Sequence, residues 1–307
     1  MRLASGRRTF LQLLCATACA SVTRRVVAQS HELTVTALAP TLRVVSGAGG
    51  NVILLDGPDG VLLVNGGAAE QSRALLATVA RESGGKPPRV LFNTDWHPHH
   101  TGLNVPLGGT GTRVVAHEHT KQYLGAELFV DWENRTYTPL PPKALPTETF
   151  HTTGAMTFGG ERIEYGHLGQ AHTDGDIYVF FRDSNVLAVG DVLATGRYPI
   201  ADYTTGGWLG GLAAATKALV DLANDDTRVA AGSGVVQARD ALRVQHEMLA
   251  AMRDRLAKMM RQGLSAKEML AAGVTKEFDA RWGDPELFLS TSYRGLWLHV
   301  RELGGIV

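Results

Sequence analysis

The chain has 307 residues, 44% of them apolar and 20% charged, an ordinary balance for a globular protein that excludes disordered, collagen-like and coiled-coil readings. Thirty Lys and Arg offset thirty Asp and Glu, and setting aside the five arginines of residues 1–28 leaves 25 basic against 30 acidic residues. No positive field remains to hold nucleic acid, so such a partner is not expected.

Residues 1–28 read as an export signal. Arg7-Arg8-Thr9-Phe10-Leu11 sets paired arginines before an apolar run from Phe10 to Val22. Its thirteen residues are too few for a transmembrane helix, which takes ~20. Val26-Val27-Ala28 then offers small residues for cleavage before Gln29. The arginine pair resembles a twin-arginine signal, with Gly6 where Ser or Thr is usual. This reading sends the mature chain, residues 29–307, to the periplasm or outside the cell as a single domain with no transmembrane segment. Both cysteines, Cys15 and Cys19, lie inside the apolar run. A chain starting at Gln29 therefore has no disulfide, thiolate ligand or cysteine nucleophile. Ala16-Thr17-Ala18-Cys19 is a faint lipoprotein pattern, which makes lipid anchoring at Cys19 the lesser alternative.

From Leu33 to Asn65 short apolar strands are cut by glycine: Leu42–Val45, Val52–Leu55 and Val61–Val64, with turns at Gly49-Gly50 and Asp59-Gly60. A helix is predicted near Ala68–Arg81, a strand at Arg89–Asn93, and a polar loop over residues 94–104. Strand Arg113–Ala116 leads into a helix near Glu118–Phe129, and the proline-rich stretch Pro139–Pro146 is read as an irregular crossing. A second group of strands covers Met156–Phe158, Arg162–Tyr165, Ile177–Phe181 and Val186–Val189, with a hairpin turn at Gly159-Gly160. Helices follow. Over Val236–Gln262, Leu242, Leu249, Met252, Leu256 and Met259 form one apolar stripe. Ser265-Ala266-Lys267-Glu268 is a capping box, and Asp284-Pro285 opens a last helix near Glu286–Leu303. Alternating strands and helices predict an α/β domain of layered sheets.

Chemistry concentrates after Asn93, in Asp95-Trp96-His97-Pro98-His99-His100. In an extended segment alternate residues share a face, so Asp95, His97 and His99 are expected to converge. Imidazole nitrogen and carboxylate oxygen are zinc donors, which makes the segment a dense ligand supply. His172-Thr173-Asp174-Gly175-Asp176 enters one later strand, and Gly190-Asp191 closes the next. His117, His119, His151, His167, His246 and His299 read as caps, surface or core residues. Trp132, Tyr137, Tyr198, Tyr203 and Trp208 fall on loops, where they can line a pocket or anchor the loop.

Strand, histidine-rich loop, a downstream His-Thr-x-Gly-Asp segment and a Gly-Asp strand end together resemble the metallo-β-lactamase fold family over roughly Val44 to Val236. Gly49–Asn51, Pro58–Gly60, Asn93-Thr94 and Val115–Glu118 add to the resemblance. It implies a four-layer αββα sandwich with divalent metal, usually zinc, at one edge of the paired sheets, and metal-dependent hydrolysis of a small molecule. The family loop reads His-x-His-x-Asp-His; here Asp95 takes the first histidine position and His99 the aspartate position, while His97 and His100 match. His172 matches the downstream histidine and Asp191 the bridging carboxylate. Ser233, in Ala231-Gly232-Ser233-Gly234, stands where the last histidine belongs, and Asn65 replaces an aspartate.

The resemblance thus implies a first metal position of Asp95, His97 and His172, and a second of His100 and Asp191, with His99 as a further candidate, that has lost its terminal histidine. One ion is expected rather than two. His99 is the candidate catalytic residue, placed to orient water or protonate a leaving group. Two functions follow: an exported hydrolase of an ester, thioester, lactone or lactam, or a catalytically degenerate member that binds a ligand in the same cleft.

Overall fold

The computed structural model describes residues 33–301, so the export-signal reading of residues 1–28 lies outside the described residues. Strands β1 (Thr34–Ala37), β2 (Leu42–Ser46), β3 (Val52–Asp56) and β4 (Val61–Val64) form an antiparallel meander. Helix α1 (Ser72–Glu82) then crosses to β5 (Pro88–Phe92), parallel to β4. Two short helices, α2 (Pro98–Thr101) and α3 (Asn104–Leu107), precede β6 (Arg113–His117), parallel to β5. Helix α4 (Glu118–Leu124) leads to a separate hairpin of β7 (Leu128–Val130) and β8 (Arg135–Tyr137). Strand β9 (Glu148–Phe150) returns to the first sheet beside β6.

The second sheet begins as a meander of β10 (Thr153–Phe158), β11 (Glu161–His167), β12 (Ile177–Phe181) and β13 (Val186–Gly190). Helix α5 (Leu209–Leu222) connects β13 to the parallel strand β14 (Arg228–Ala231), and β15 (Gln237–Ala238) closes the edge. The chain ends in α6 (Asp240–Arg261), α7 (Ala266–Ala271), α8 (Lys276–Trp282) and α9 (Glu286–Leu298).

Alternation along the strands builds the layers. Val44, Ile53, Leu55, Leu62, Val64 and Phe92 of the first sheet meet Ile163, Val179, Phe181, Val186 and Ala188 of the second in a central core. Their neighbours Val45, Leu54, Leu63 and Leu91 face outward onto Leu75 and Val79 of α1. On the other side Phe180, Leu187, Val189 and Val229 pack against Leu212 of α5, Leu249 of α6 and Phe288 of α9. Sheets face to face with helices outside make the αββα sandwich. Among the described residues no helix is long and apolar enough to cross a membrane.

Several elements differ from their sequence reading. Strand β1 and the helix α5 carried no distinctive pattern. The helix expected to reach Phe129 stops at Leu124, where Gly125 takes the C-cap and donates to Lys121 O. Leu128 and Val130 instead pack with Trp96 and Leu124 under the hairpin. Residues Gln237–Ala238 pair as β15, so α6 starts at Asp240. Leu242, Leu249, Met252 and Leu256 of its stripe are buried, with Met260 rather than Met259 as the last deep residue. The last helix ends at Leu298, because His299 leaves helical geometry and stacks on Trp208 at 4.4 Å. The Ser265–Glu268 capping box and the Gly159-Gly160 turn form as expected.

Candidate metal centre

Strands β4, β5 and β6 are parallel, and so are β13 and β14. Their carboxyl ends, where open α/β sheets gather ligands, deliver the polar segments to one sheet edge. Asp95 follows β5, Asp191 follows β13 and His172 precedes β12. Thr94 joins the two sheets: its N–H donates to Asn65 Oδ1 and its carbonyl accepts from Ile177 N at 2.9 Å. Gly190 adopts φ 56°, and a Cβ there would sit 2.5 Å from Thr94 Oγ1. Only glycine lets Asp191 approach so closely.

The structure brings the candidate ligands into two groups: Asp95, His97 and His172, all buried, and His99, His100 and Asp191. Within each group one donor atom per residue lies within 4.8 Å of the others. Asp95, His97 and His99 do not share a face as the extended reading had it. Pro98 occupies the first position of α2, so the chain turns helical there. His99 is swung over to His100 and Asp191.

The first group suits a tetrahedral ion. Donors ~2.0–2.2 Å from such an ion lie ~3.3–3.6 Å from one another. His97 Nδ1 stands 3.3 Å from Asp95 Oδ1 and 3.3 Å from His172 Nε2. Asp191 Oδ2 lies 3.8 Å from His172 Nε2. The outer nitrogens of His172 and His100 have partners that fix their tautomers, as those of metal-bound imidazoles do. His172 Nδ1 donates to Ile200 O at 2.8 Å, which turns the lone pair of Nε2 inward. His97 Nε2 is buried without a hydrogen-bond partner and faces Asp202 Oδ2 at 3.8 Å. His100 Nδ1 donates to Asp95 Oδ2 at 2.7 Å, leaving His100 Nε2 buried, unpartnered and 3.7 Å from Asp191 Oδ1. The buried, unpartnered Nε2 of His100 is a lone pair that a cation in the second group would satisfy.

Electrostatics agree with the geometry. Burial alone would raise the Asp95 carboxyl, but the charges and hydrogen bonds of His100 and His97 hold it well below the usual range. Burial likewise works against Asp191, and His99, His100 and His172 outweigh it and lower its pKa. Burial opposes a charge on His97 and His100, yet Asp95 raises both, with Asp202 and Asp191 adding to the effect. His172 is lowered, first by burial and then by His97. Asp176 accepts from Thr173 N at 2.7 Å and so braces the loop that presents His172.

His99 Nε2 and Asp191 Oδ2 form a 2.8 Å hydrogen bond. The replacement at Ser233 has an unexpected neighbour. The Ser233 carbonyl accepts from Thr195 Oγ1. The turn instead approaches through Gly232, whose N–H donates to Gly190 O at 2.6 Å.

A cleft of about 470 Å³ opens on these residues, with His97, His99, His172 and Asp191 among its walls. Trp132 and Tyr137 line it from the hairpin, and Leu193, Pro199 and Ile200 from the segment after Asp191. Tyr203 is bonded to Asp131 instead, and Trp208 is covered by His299. Asp202 and Gly232 escaped the sequence reading. Neither carries a local signal, since their partners lie far away in the chain.

A second set of imidazoles lies behind the His172 loop. His117 stacks on His167 at 3.7 Å, while His119 and His167 both bond the Asp174 carbonyl. Burial, with the charges of His167 and His119, pushes His117 down to about 4. The unfolded chain then takes up this proton first, near pH 6.5. Stability from His117 is complete above pH 6.5 and is lost as pH falls toward about 4. At ~1.4 kcal/mol per unit this window corresponds to about 3.5 kcal/mol, which solvent screening reduces to about 2–3 kcal/mol. Urea unfolding of the metal-free protein at pH 7 and pH 4.5, compared with His117→Phe, measures it. The variant should lose less stability between the two, and an equal loss in both proteins counts against the assignment.

The comparisons agree with this geometry. The family described as the metallo-beta-lactamase superfamily matches residues 45–241. The fold is similar to that of a metallo-beta-lactamase from Pontibacter korlensis, at 20% identity and a TM-score of 0.57, covering 71% of this chain and 99% of that one. It is also similar to the stereoselective inverting sec-alkylsulfatase Pisa1 from Pseudomonas sp., at 17% identity and a TM-score of 0.67. That match covers 86% of this chain but 50% of the other, so this chain spans about half the sulfatase's length. The DIM-1 metallo-beta-lactamase shares 14% identity with a TM-score of 0.57, over 71% of this chain and 97% of that one. No curated protein matches.

Proposed function

The chain belongs to the metallo-β-lactamase superfamily, whose members are metal-dependent hydrolases, and from that membership we propose that it hydrolyses a small-molecule ester, thioester, lactone or lactam with a divalent ion, zinc by preference, held by Asp95, His97 and His172. The observation that carries the reading is the buried donor set in which His97 Nδ1 stands 3.3 Å from both Asp95 Oδ1 and His172 Nε2, with the outer nitrogen of His172 already held by Ile200 O. A divalent ion held there supplies Lewis acidity toward a carbonyl or ester oxygen and brings the pKa of water into a usable range.

The remaining work falls to the chain's own groups. Asp191 reaches both ligand groups through its two oxygens and holds the His99 imidazole at the cleft. His99 is thereby placed to orient a water or to give a proton to a leaving group. Trp132, Tyr137, Leu193 and Ile200 give the cleft walls apolar surface for the body of a substrate. The likeness to a sec-alkylsulfatase adds sulfate esters to the substrates worth testing. We expect the second group to hold an ion more weakly than the first. Its His99–Asp191 hydrogen bond must open first, and Ser233 brings no nitrogen to replace the missing histidine.

Elemental analysis of the purified, dialysed protein should find about one zinc-class ion per chain. A panel of esters, lactones, lactams and sulfate esters should show turnover that a chelator removes and added zinc restores. Retained metal with no turnover on any member would favour a binding protein in the same cleft. A protein that takes up no ion under any loading would end the hydrolase reading.

A further inference from the structure

The segment from Val192 to Asp202 has two faces. One lines the cleft with Leu193, Pro199 and Ile200. The other is pinned by helix residues that lie beyond residues 45–241, the span the family match covers. Gln245 of α6 is fully buried, and both halves of its amide are used on this segment. Its Nε2 donates to Val192 O at 2.6 Å and its Oε1 accepts from Ala194 N at 2.9 Å. Tyr198 is 3% exposed; its ring stacks on Phe288 of α9 at 4.7 Å, and its hydroxyl donates to Asp279 of α8 at 2.9 Å.

The pinned segment is also the one that arranges the ligands. Asp191 immediately precedes it. Two residues after Tyr198, the Ile200 carbonyl orients His172, and Asp202 at the far end faces His97. A glutamine buried only to fill space would leave costly unpaired groups unless it found partners. Here both partners belong to the residues just after Asp191, so the pairing fixes that loop in two directions. Tyr198 fixes the middle of the segment in the same way.

We propose that Gln245 and Tyr198 are positioning residues of the metal centre, through which the C-terminal helices set the placement of Asp191 and of the Ile200 carbonyl behind His172. The inference rests on the metal-dependent reading above. Gln245 and Tyr198 touch no ligand atom, and their effect on the ion passes through the segment between them.

The test uses Tyr198→Phe, Gln245→Met and the double variant, with Met252→Ala as a control in the same helix. Met252 is fully buried in the core cluster that α6 shares with the segment, but its thioether makes no hydrogen bond to it, so the control removes packing and keeps the polar pins. Tyr198→Phe removes one oxygen and keeps the ring stack, so it remains informative if the glutamine variant folds poorly. Zinc affinity is read by chelator competition, and the visible spectrum of the cobalt-loaded protein reports ligand geometry. Loss of outer partners typically weakens metal binding ~10–100-fold, and the double variant should fall in that range with a shifted cobalt spectrum. The control should melt at a lower temperature with affinity and spectrum unchanged. Variants that match wild type in affinity and spectrum would overturn the inference and leave the hydrolase reading standing. A wild type that binds neither zinc nor cobalt would end both.

Discussion

His172→Ala should strip the protein of tightly held metal and abolish hydrolysis, while Ser233→Ala leaves both near wild type. His172 is the most constrained of the three donors. It is buried, its Nδ1 is committed to Ile200 O, and its Nε2 stands 3.3 Å from His97 Nδ1. Zinc held by four ligands is bound by ~10–16 kcal/mol, or ~2.5–4 kcal/mol per ligand, so losing one costs ~10²–10³-fold in affinity. Alanine offers no donor, and Asp95 and His97 would be left as a two-point site. Ser233 offers only a neutral hydroxyl, which is outside the thiolate, imidazole and carboxylate donors that zinc takes, so its removal has little to cost. Chelator-competition titration of both variants, with turnover measured alongside, decides the matter. Wild-type affinity in His172→Ala would remove the first ligand group from consideration. A large loss in Ser233→Ala would give the serine a ligand's role.

Gly232→Ala is expected to damage the centre without replacing a ligand. A Cβ at position 232 would lie 2.3 Å from Asp191 Oδ1 and 2.6 Å from His100 Nε2. The backbone has little freedom to retreat, since Gly232 N donates to Gly190 O at 2.6 Å and its carbonyl accepts from Asn51 N at 2.8 Å. Asp191 or His100 must therefore move by about 1 Å, and a displacement of that size can cost ~10²-fold in rate. The variant should stay folded, with kcat/KM down by about that factor and the second ligand group unable to close. Circular dichroism checks the fold, and steady-state kinetics with metal titration check the rest. Full activity in Gly232→Ala would show that neither Asp191 nor His100 takes part in the chemistry.

The two experiments probe different parts of one edge. His172 tests the group built from β5 and the loop before β12. Gly232 tests the contact between the β14 turn and the residues after β5 and β13. A loss in one with the other intact would separate the two ligand groups functionally.

Much of this architecture was legible in local pattern. Val61–Val64 and Val186–Val189 are continuous apolar runs because they are buried on both faces, and the runs marked the strands that carry the site. Histidines and aspartates directly after such strands are informative because the carboxyl ends of parallel strands gather at one edge. The resemblance to a known family then gave the order of layers and the pairing of Asp95 and His97 with His172. Residue types also set the limits, since a chain whose cysteines lie only in residues 1–28 draws its ligands from imidazoles and carboxylates.

Packing determined the rest. The alternation rule put His99 beside Asp95, but Pro98 begins a helical turn and sends it to Asp191, 92 residues away. Gly232 gave no sign of its role, because a missing Cβ matters only against the atoms it would meet. Asp202 and Gln245 were equally silent. Each acts through partners brought close by the folding of distant segments, at His97 and at Val192 and Ala194. Periodicity and residue type report which face of an element is buried and what chemistry it carries, because both depend on neighbours in the chain. Which donors share an ion, and what holds them there, depends on distances across the sandwich, and those exist only once the two sheets have met.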